Sequence, residues 1–378
     1  MKVGFNARLL TAASLRGWNR YTLELLAELP ALGVEPLLYL DGPIHPGHLA
    51  RLPPGGFSVR EAPPLRFLDW QNRWLPRQCA LDGAEVLHSP FNFGLPWSSP
   101  CPRVLTLHDA IDQVYSAGRE PWWKKLRPNA VRDRLPHWVS RTRAHRVITV
   151  SNHARGDLVG RLGIPASKIR VTYESADRRF HEPIAEAGRQ RVRDAHGLSR
   201  PYLFYIGGWE GRKNLPFLVR AFAGAALDGV DLVLAGGHDA QRADLEELAR
   251  SLGMLDRLRL LGYVEDDDLP ALYAEALAFA YPSAYEGFGL QLCEAMAAGC
   301  PTLAANATSL PEVLGDGGAI FGLSDPSELS ALLRRIAADA PFRAELSARA
   351  RARAATFSWR RTAEQTVAVY REVIADRH

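Results

Sequence analysis

Two glutamates separated by seven residues, Glu286 and Glu294, are the residues of this chain best placed for chemistry. Glu286 precedes a loop with Gly287 and Gly289, and Glu294 lies one turn inside the helix that the Ala-rich run 290–298 predicts. The two glycines let backbone N–H groups approach a ligand closely, and the helix start adds its positive end. Such a loop suits a ligand with both an anionic group and hydroxyls, for example a sugar nucleotide.

The two carboxylates differ in how well a structural role would explain them. A carboxylate in a first helical turn complements the helix dipole, so a purely structural Glu294 stays open beside a contact to ribose hydroxyls. Glu286 stands ahead of the helix, and we interpret it as a ligand contact.

Two adjacent cations, Arg212 and Lys213, follow a predicted strand and a glycine turn and stand just before a predicted helix. A pyrophosphate there would meet both charges and the helix end, as a leaving nucleoside diphosphate needs if no metal is present. The alternative is a turn whose Arg and Lys face water. The glycines of this turn do not follow G-x-G-x-x-G, so the nicotinamide fingerprint is not met.

An acidic run, Glu265–Asp268, formally contains the D-x-D pair that would chelate Mg²⁺ or Mn²⁺ with a sugar nucleotide. It directly precedes a predicted helix, where acidic residues are ordinary capping, and we favour capping. We therefore predict neither a metal site nor a bound cofactor.

In the first half of the chain, His108 and Asp109 follow an apolar strand at its carboxyl end, where open α/β sheets bind ligands. His108 could hydrogen-bond a substrate hydroxyl or move a proton, with Asp109 orienting it, although a structural histidine is an equal alternative. The loop 14–21 joins the first strand to the first helix. Its Gly17 and basic neighbours could approach phosphate, or simply form a glycine turn.

A basic, aromatic segment runs from Arg119 to Arg146. It holds nine Arg or Lys residues against Glu120 and Asp133, with three tryptophans among them. This composition suits an anionic membrane surface or an anionic acceptor such as a lipid-linked diphosphate, but also a solvated helical face. We predict peripheral membrane contact here as one interpretation.

Strand-length apolar runs alternate with longer amphipathic segments, which is typical of parallel sheets with crossover helices. Two α/β sheets are the economical interpretation. The predicted strands are 3–5, 36–40, 86–88, 104–107, 147–150 and 170–173 in the first half, and 202–206, 231–235, 258–261, 277–280, 301–304 and 319–321 in the second. We place the domains at 1–185 and 186–355, with a C-terminal helix at 356–378 that we expect to return to the first domain. Capping of the second domain is the alternative.

The composition is that of a globular protein: 378 residues, 47% hydrophobic and 23% charged. A net charge of +4 is too small to indicate nucleic acid. The four cysteines show no metal or disulfide spacing, and no signal peptide or spanning segment is recognisable. These features predict a cytoplasmic protein, with peripheral attachment at the inner membrane face left open.

The motifs taken together resemble a known family, the GT-B glycosyltransferases of family 4, also described as glycosyl transferases group 1. The resemblance covers essentially the whole chain. It rests on the Glu286-x7-Glu294 element, Gly207…Arg212-Lys213-Asn214, Gly262-Tyr263-Val264, Ser309-Leu-Pro311-Glu312, Arg16-Gly-Trp-Asn-Arg-Tyr21, His108-Asp109, Val150-Ser151-Asn152 and Tyr173-Glu-Ser-Ala-Asp177.

This resemblance implies two Rossmann-like domains facing across a deep cleft, the first binding acceptor and the second a nucleoside-diphosphate sugar. It implies metal-independent transfer of a hexosyl group to an acceptor hydroxyl with retention, in the synthesis of a bacterial glycan, glycolipid or glycosylated small molecule. The implied catalytic residues are Glu286, His108 and Asp109. The implied donor-binding residues are Gly17, Arg212, Lys213, Val264, Gly287, Phe288, Gly289, Leu290 and Glu294.

The chain also departs from the family pattern. Trp18-Asn19 stands where Ile-Gly is usual, Gln291 where Pro is common, and Glu174-Ser175 where Asn-Gly is common. Two rival functions stay open on the same scaffold: a phosphorylase or sugar-nucleotide epimerase, and a catalytically silent nucleotide-binding subunit.

Overall fold

The computed structural model describes residues 1–13, 17–116, 138–139, 141–237 and 239–376. They form two compact units. Unit 1 is Met1–Glu174 together with the C-terminal segment from Ser358, and unit 2 is Ser175–Phe357. The boundaries predicted from the sequence, at 185/186 and 355/356, stay a prediction. The division into compact units does not test where independently folding segments begin and end.

Unit 1 is built on a parallel sheet that, over the described residues, has seven strands in the order β3-β2-β1-β4-β5-β6-β7. The strands are β1 Lys2–Asn6, β2 Glu35–Leu40, β3 Ser58–Glu61, β4 Val86–Ser89, β5 Arg103–Thr106, β6 Arg146–Thr149 and β7 Ile169–Val171. The helices up to β7 are α1 Gly17–Glu28, α2 Pro46–Leu49, α3 Phe67–Asp69, α4 Leu75–Asp82, α5 Ile111–Ser116 and α6 Asn152–Leu162.

The edge strand β3 is absent from the sequence prediction. Its sequence, Ser-Val-Arg-Glu, has neither an apolar run nor a strict alternation, and its side chains are half-buried or exposed. Pairing with the buried β2, from Leu37↔Ser58 to Leu40↔Glu61, forms this strand. Charged residues on an edge strand are an ordinary protection against further pairing, and they also hide the strand from pattern analysis.

Unit 2 holds a second parallel sheet, ordered β10-β9-β8-β11-β12-β13 in the part of the chain described. Its strands are β8 Tyr202–Ile206, β9 Asp231–Ala235, β10 Leu258–Gly262, β11 Ala278–Tyr281, β12 Thr302–Ala305 and β13 Ala319–Phe321. Its helices are α7 Glu186–His196, α8 Leu215–Ala225, α9 Asp239–Ser251, α10 Leu269–Glu275, α11 Leu290–Ala297, α12 Leu310–Leu314, α13 Pro326–Ala338 and α14 Ala340–Ala354. The prediction of two α/β sheets is confirmed.

The central strands of unit 2 are buried on both faces, as parallel strands covered by helices are. Every residue of β9, β11 and β12 is buried. Aromatic rings fill one side of the sheet: Tyr273 packs edge-on against Phe204 and Phe279, with ring centroids 5.2 and 5.3 Å apart. This packing fixes the strands whose carboxyl ends carry the candidate site.

The last helix, α15 Trp359–Ala375, belongs to unit 1. The Ser358 hydroxyl caps it by accepting from the Arg361 N–H. The Tyr370 hydroxyl meets His88 on β4 at 2.6 Å, and Glu372 forms ion pairs with Arg146 on β6 and with Arg170 on β7. The helix therefore covers the strands of unit 1. Within the described residues, no helix has the length and apolarity to cross a membrane.

Candidate active site

The candidate site in unit 2 is the loop between β11 and α11. Gly289 ends this loop with a φ of +99°, a left-handed conformation that glycine adopts without strain, and α11 then begins at Leu290. A Cβ on Gly289 would also lie 2.9 Å from Leu310 Cδ2. Both constraints require glycine where the chain turns into the helix, so the predicted loop-to-helix transition has a firm structural basis.

Four donors converge on one carboxylate oxygen of Glu286. Lys213 Nζ and Ser283 Oγ lie 2.6 Å from Oε1, and Arg212 Nη1 and the Tyr281 hydroxyl lie 3.0 Å from it. None of these donors in the described structure contacts the second oxygen, Oε2. The structure thus brings together three residues that the sequence analysis selected, Arg212, Lys213 and Glu286, through Oε1 alone.

Exposure separates the two cations. The Arg212 side chain is 21% exposed and that of Lys213 only 6%, while that of Glu286 is 11% exposed. Lys213 is enclosed because its ammonium also contacts the Tyr281 hydroxyl at 2.7 Å. Arg212 is therefore the more exposed of the two cations.

The charges of this cluster support one another. Burial alone would raise the pKa of Glu286, but the charges of Lys213 and Arg212 outweigh burial and hold that pKa below its ordinary value. Burial lowers the pKa of Lys213, against the attraction of Glu286 and with added repulsion from Arg212. Burial and the Glu286 charge raise the pKa of Tyr281 well above its ordinary value. Glu286 is an anion and Tyr281 a neutral donor.

Neighbouring loops hold the Glu286 backbone. Its N–H donates to Thr308 Oγ1 at 3.0 Å, and the Ser309 hydroxyl lies 3.0 Å from the carbonyl oxygens of both Glu286 and Phe288. The Ala284 N–H donates to the Arg212 carbonyl at 2.7 Å. The sequence analysis missed Thr308 as a supporting residue, and it met Ser309 only within a family motif.

Glu294 lies on α11 and is 2% exposed. The Tyr273 hydroxyl donates to its Oε2 at 3.0 Å. Tyr273 belongs to the aromatic cluster of the core, so Glu294 is tied to the interior of unit 2 in this structure. Its role as an acceptor for ribose hydroxyls stays a prediction.

The loops after β8, β9 and β10 meet at the carboxyl ends of these neighbouring strands. A Cβ on Gly236 would lie 2.3 Å from the Gly207 carbonyl oxygen, and one on Gly237 would lie 2.0 Å from the Trp209 ring. Both positions have positive φ, +84° and +79°, so the Gly236-Gly237 pair that the sequence analysis passed over is structurally required. Val264, predicted near the base, is 5% exposed in the loop after β10.

In unit 1, His108 follows β5, is 6% exposed, and has both ring nitrogens occupied. Nδ1 lies 3.1 Å from Glu174 Oε1, and Nε2 lies 3.0 Å from the Pro90 carbonyl oxygen. Tyr21 packs edge-on against the ring at 4.8 Å. The orienting carboxylate that we expected from Asp109 comes from Glu174, because Asp109 Oδ1 instead accepts from the Ile111 N–H at the start of α5.

Gly17 is the first residue of α1 and is exposed. The two departures from the family pattern beside it face the interior of unit 1. Trp18 stacks on Phe91 with centroids 6.5 Å apart, and Asn19 donates to the Leu9 carbonyl at 2.7 Å. Contacts within the unit explain both residues.

The acidic run before α10 forms ion pairs. Arg179 pairs with Asp266 and Asp267, and Asp268 meets Arg191 at 2.6 Å and His196 at 2.9 Å. The predicted capping role is wrong in detail, because the Asp268 side chain makes no cap hydrogen bond with α10. The nearby cations bind it more strongly than a neutral N–H would.

Most of the basic, aromatic segment Arg119–Arg146 lies outside the described residues. The described remainder is 138–139 and 141–146.

Family models match both halves of the chain. Residues 15–180 match Glycosyltransferase Family 4, and residues 188–353 match Glycosyl transferases group 1. A full-length relative is D-inositol 3-phosphate glycosyltransferase of Salinispora tropica, 33% identical over 99% of this chain and 82% of its own. The chain belongs to glycosyltransferase family 4.

Mannosyltransferases are among the similar proteins. O-antigen chain mannosyltransferase B of Escherichia coli is 36% identical over 60% of this chain and 60% of its own length. The serotype-specific mannosyltransferase WbdA of Escherichia coli is 32% identical, also over 60% of this chain but only 28% of its own. The match thus spans less than two thirds of either relative.

Solved structures share the architecture of this chain. The Anabaena protein HepE, in complex with UDP and glucose, is 18% identical over 98% of this chain and 100% of its own, with a TM-score of 0.76. Sucrose-phosphate synthase of Thermosynechococcus elongatus is 20% identical over 99% of both chains, also with a TM-score of 0.76. These likenesses establish two Rossmann-like domains of the GT-B fold.

Proposed function

We propose that this chain transfers a hexosyl group from a nucleoside-diphosphate sugar to an acceptor hydroxyl, with retention at the anomeric carbon and without a metal. The observation that carries the proposal is the convergence of Arg212 and Lys213 on Glu286 at the carboxyl ends of β8 and β11. Two cations and one carboxylate meet in this cluster, and the charge of Glu210 also acts on Lys213. An arriving diphosphate adds negative charge beside the two cations, of which Arg212 has a side chain that is 21% exposed.

In the proposed reaction, the acceptor oxygen bonds to the anomeric carbon as the bond from that carbon to the phosphate oxygen breaks. The acceptor proton passes to the leaving phosphate oxygen on the same face of the sugar, so the configuration is retained. Arg212 and Lys213 stabilise the charge that develops on the diphosphate. Glu286 acts as an electrostatic and orienting group for the sugar, since its Oε2 is not engaged by any described donor.

The names of the relatives guide the choice of donor. They support testing a mannosyl donor first, with UDP-, ADP- and TDP-sugars as the alternatives. A glycan or a phosphorylated small molecule is the acceptor class that these names favour. In this proposal unit 1 binds the acceptor beside the His108 ring, which Glu174 and the Pro90 carbonyl hold in place.

A thermal-shift screen with GDP, UDP, ADP and TDP sugars identifies the donor, because a ligand that binds the folded state raises its apparent stability. Product analysis by NMR then reports the anomeric configuration, in chelator and without added metal. Reactions with phosphate in place of acceptor, and with no acceptor, distinguish a phosphorylase and an epimerase. The proposal fails if the product is inverted, if turnover requires a metal, or if a donor binds without being transferred or hydrolysed.

A further inference from the structure

A row of cations lies at the amino ends of three neighbouring strands in unit 1. Arg103 is the first residue of β5, Arg146 is the first residue of β6, and Lys168 immediately precedes β7. The three strands are adjacent and parallel, so these residues lie along one edge of the sheet. His108 follows the other end of β5, about 16 Å away for five residues of extended chain. The row is therefore distinct from the candidate active site.

These cations line a cavity of about 460 Å³. Arg143 and His145 complete its basic lining, and Asp376 is the acidic group among the described lining residues. This volume lies within the range of about 300–1,000 Å³ that small-molecule sites occupy. A phosphate or diphosphate group fits it readily.

The positive charge of the cavity is only partly neutralised within unit 1. Arg146 pairs with two carboxylates, Asp376 at 2.5 Å and Glu372 at 2.9 Å. Lys168 Nζ donates to the Ala144 carbonyl at 3.3 Å, and Arg103 Nη1 donates to the carbonyls of Pro96 and Trp97. These partners are carbonyls, and within the described residues no carboxylate forms an ion pair with Lys168 or Arg103. Arg103 Nε is buried and, among the described residues, has no hydrogen-bond partner.

The proximity of these cations also shifts their protonation equilibria. Burial lowers the pKa of Arg103, and the charge of Arg143 lowers it further. Burial lowers the pKa of His145, with added repulsion from Arg103 and Lys168. Bringing like charges together in a partly buried cavity is unfavourable unless an anion joins them.

We propose that this cavity binds a phosphate-bearing anion. Two tryptophans lie beside it and suggest where the rest of such a ligand goes. Trp97 and Trp138 are 46% and 48% exposed, their rings are 5.9 Å apart, and the Arg143 guanidinium lies 5.3 Å from the Trp97 ring. Exposed aromatic rings next to cations suit a ligand whose phosphate adjoins apolar matter. The phosphate comes from a soluble compound or from a lipid headgroup, and the test below separates these sources.

Calorimetric titration of pyrophosphate into the full-length chain tests the cavity. The double variant Arg143→Gln/Lys168→Gln removes two cations of the lining that form no ion pair with a described carboxylate. Arg103 is kept, because it donates to the carbonyls of Pro96 and Trp97. Its matched control, Arg77→Gln/Arg155→Gln, removes two exposed charges from α4 and α6, outside the cavity. We expect at least about tenfold weaker binding for the cavity variant than for the control, since each lost contact is a charged hydrogen bond.

Asp376→Asn supplies a change of opposite sign. It removes the cavity's carboxylate and leaves Arg146 with Glu372 as its described acidic partner, so pyrophosphate should bind more tightly than to the wild type. This variant keeps the test decisive if the double variant proves unstable. A diphosphate site in unit 2 contributes equally to all these titrations. Equal affinities across the cavity variants and the control would overturn the proposal.

Vesicle sedimentation separates the two sources of phosphate. Vesicles of phosphatidylcholine with phosphatidylglycerol are compared with pure phosphatidylcholine, using the wild type, Arg143→Gln/Lys168→Gln and Trp97→Ala. A lipid headgroup is the ligand if both variants lose binding to anionic vesicles while Trp97→Ala still binds pyrophosphate. Pyrophosphate binding without vesicle binding assigns the cavity to a soluble ligand. Absence of both overturns the proposal.

Discussion

Unit 1 and unit 2 each bury a carboxylate against a basic side chain, but the charges are balanced in different ways. In unit 2, Glu286 Oε1 receives four donors, and two of them are cationic. In unit 1, His108 lies between two acceptors, Glu174 and the Pro90 carbonyl. A neutral imidazole has one N–H, so a neutral ring donates to one of these two acceptors and not to both. Of these two clusters, the one in unit 2 brings two cations onto one carboxylate, whereas His108 is the one basic side chain on Glu174 among the contacts described.

The largest expected effect comes from neutralising the anion of unit 2. Glu286→Gln should lower turnover by about 10²–10³-fold, the usual effect of removing one preorganised electrostatic group. Affinity for the nucleoside diphosphate should change far less, because both cations stay. Turnover and calorimetric affinity are measured side by side, with Glu246→Gln on α9 as the control. Equal losses of turnover and affinity would assign Glu286 to folding or nucleotide binding instead.

The two cations of unit 2 should respond differently to removal. Arg212→Ala should weaken nucleoside-diphosphate binding by ~1.5–3 kcal/mol, as the loss of a charged hydrogen bond does. Lys213→Ala should cost a similar affinity and also lower the melting temperature, since Lys213 is enclosed and its loss leaves a buried gap beside Glu286 and Tyr281. Calorimetry and thermal unfolding of both variants separate the effects. Unchanged affinity in both would refute the diphosphate assignment.

A second buried histidine of unit 1, His88, makes the stability of this unit depend on pH. His88 is fully buried, and both of its ring nitrogens meet hydroxyls, those of Tyr370 and Thr106. Hydroxyls either donate or accept, so a neutral ring is satisfied here. Burial, with a smaller contribution from the charge of His108, lowers the pKa of His88 to about 3. His88 is thus a buried histidine of unit 1 that stays neutral.

The sign of the pH effect follows from this lowered pKa. Between about pH 3 and the unfolded value near 6.5, the unfolded chain binds a proton that folded His88 does not. Stability is therefore complete above pH 6.5 and falls by ~1.4 kcal/mol per unit below it, about 2 kcal/mol from pH 6.5 to 5. Hydrogen exchange of β4 and β5 amides should show this slope in the wild type and a flatter one in His88→Gln. Parallel slopes would mean that His88 takes up a proton in the folded state.

The sequence predicts the fold well because periodicity and burial agree along most strands. Tyr202–Ile206, Asp231–Ala235 and Ala319–Phe321 appear with their predicted bounds. The edge strand Ser58–Glu61 does not, because its partner strand rather than its own apolar pattern forms it. Local pattern carries no information about such a strand until its neighbour is in place.

The candidate site is only partly accessible to the same reasoning. Residue type and spacing select Glu286, Arg212 and Lys213, but they do not reveal that Lys213 is enclosed, since burial of a charge depends on the tertiary structure around it. The contact between His108 and Glu174 joins residues 66 positions apart, so adjacency in sequence favours Asp109 wrongly. Tyr281 and Ser283 shortly precede Glu286 in the sequence, and hydroxyls so close to a candidate carboxylate are the signal that could have found them.

The smallest expected effect is the energetic coupling between His108 and Glu174. If the ring is a cation held by this carboxylate, His108→Gln and Glu174→Gln should each destabilise unit 1, and the double variant should lose less than the sum, with a coupling of about 1–3 kcal/mol. Hydrogen exchange of β5 amides measures the free energy of opening of unit 1 in each variant. The control is a second double-mutant cycle, His108→Gln with Asp109→Asn. Its effects should be close to additive, because Asp109 accepts from the Ile111 N–H. A coupling near zero for Glu174 would mean that the ring is neutral and that one of its two acceptors receives no hydrogen bond. Unit 1 would then hold no buried ion pair to compare with the Glu286 cluster of unit 2.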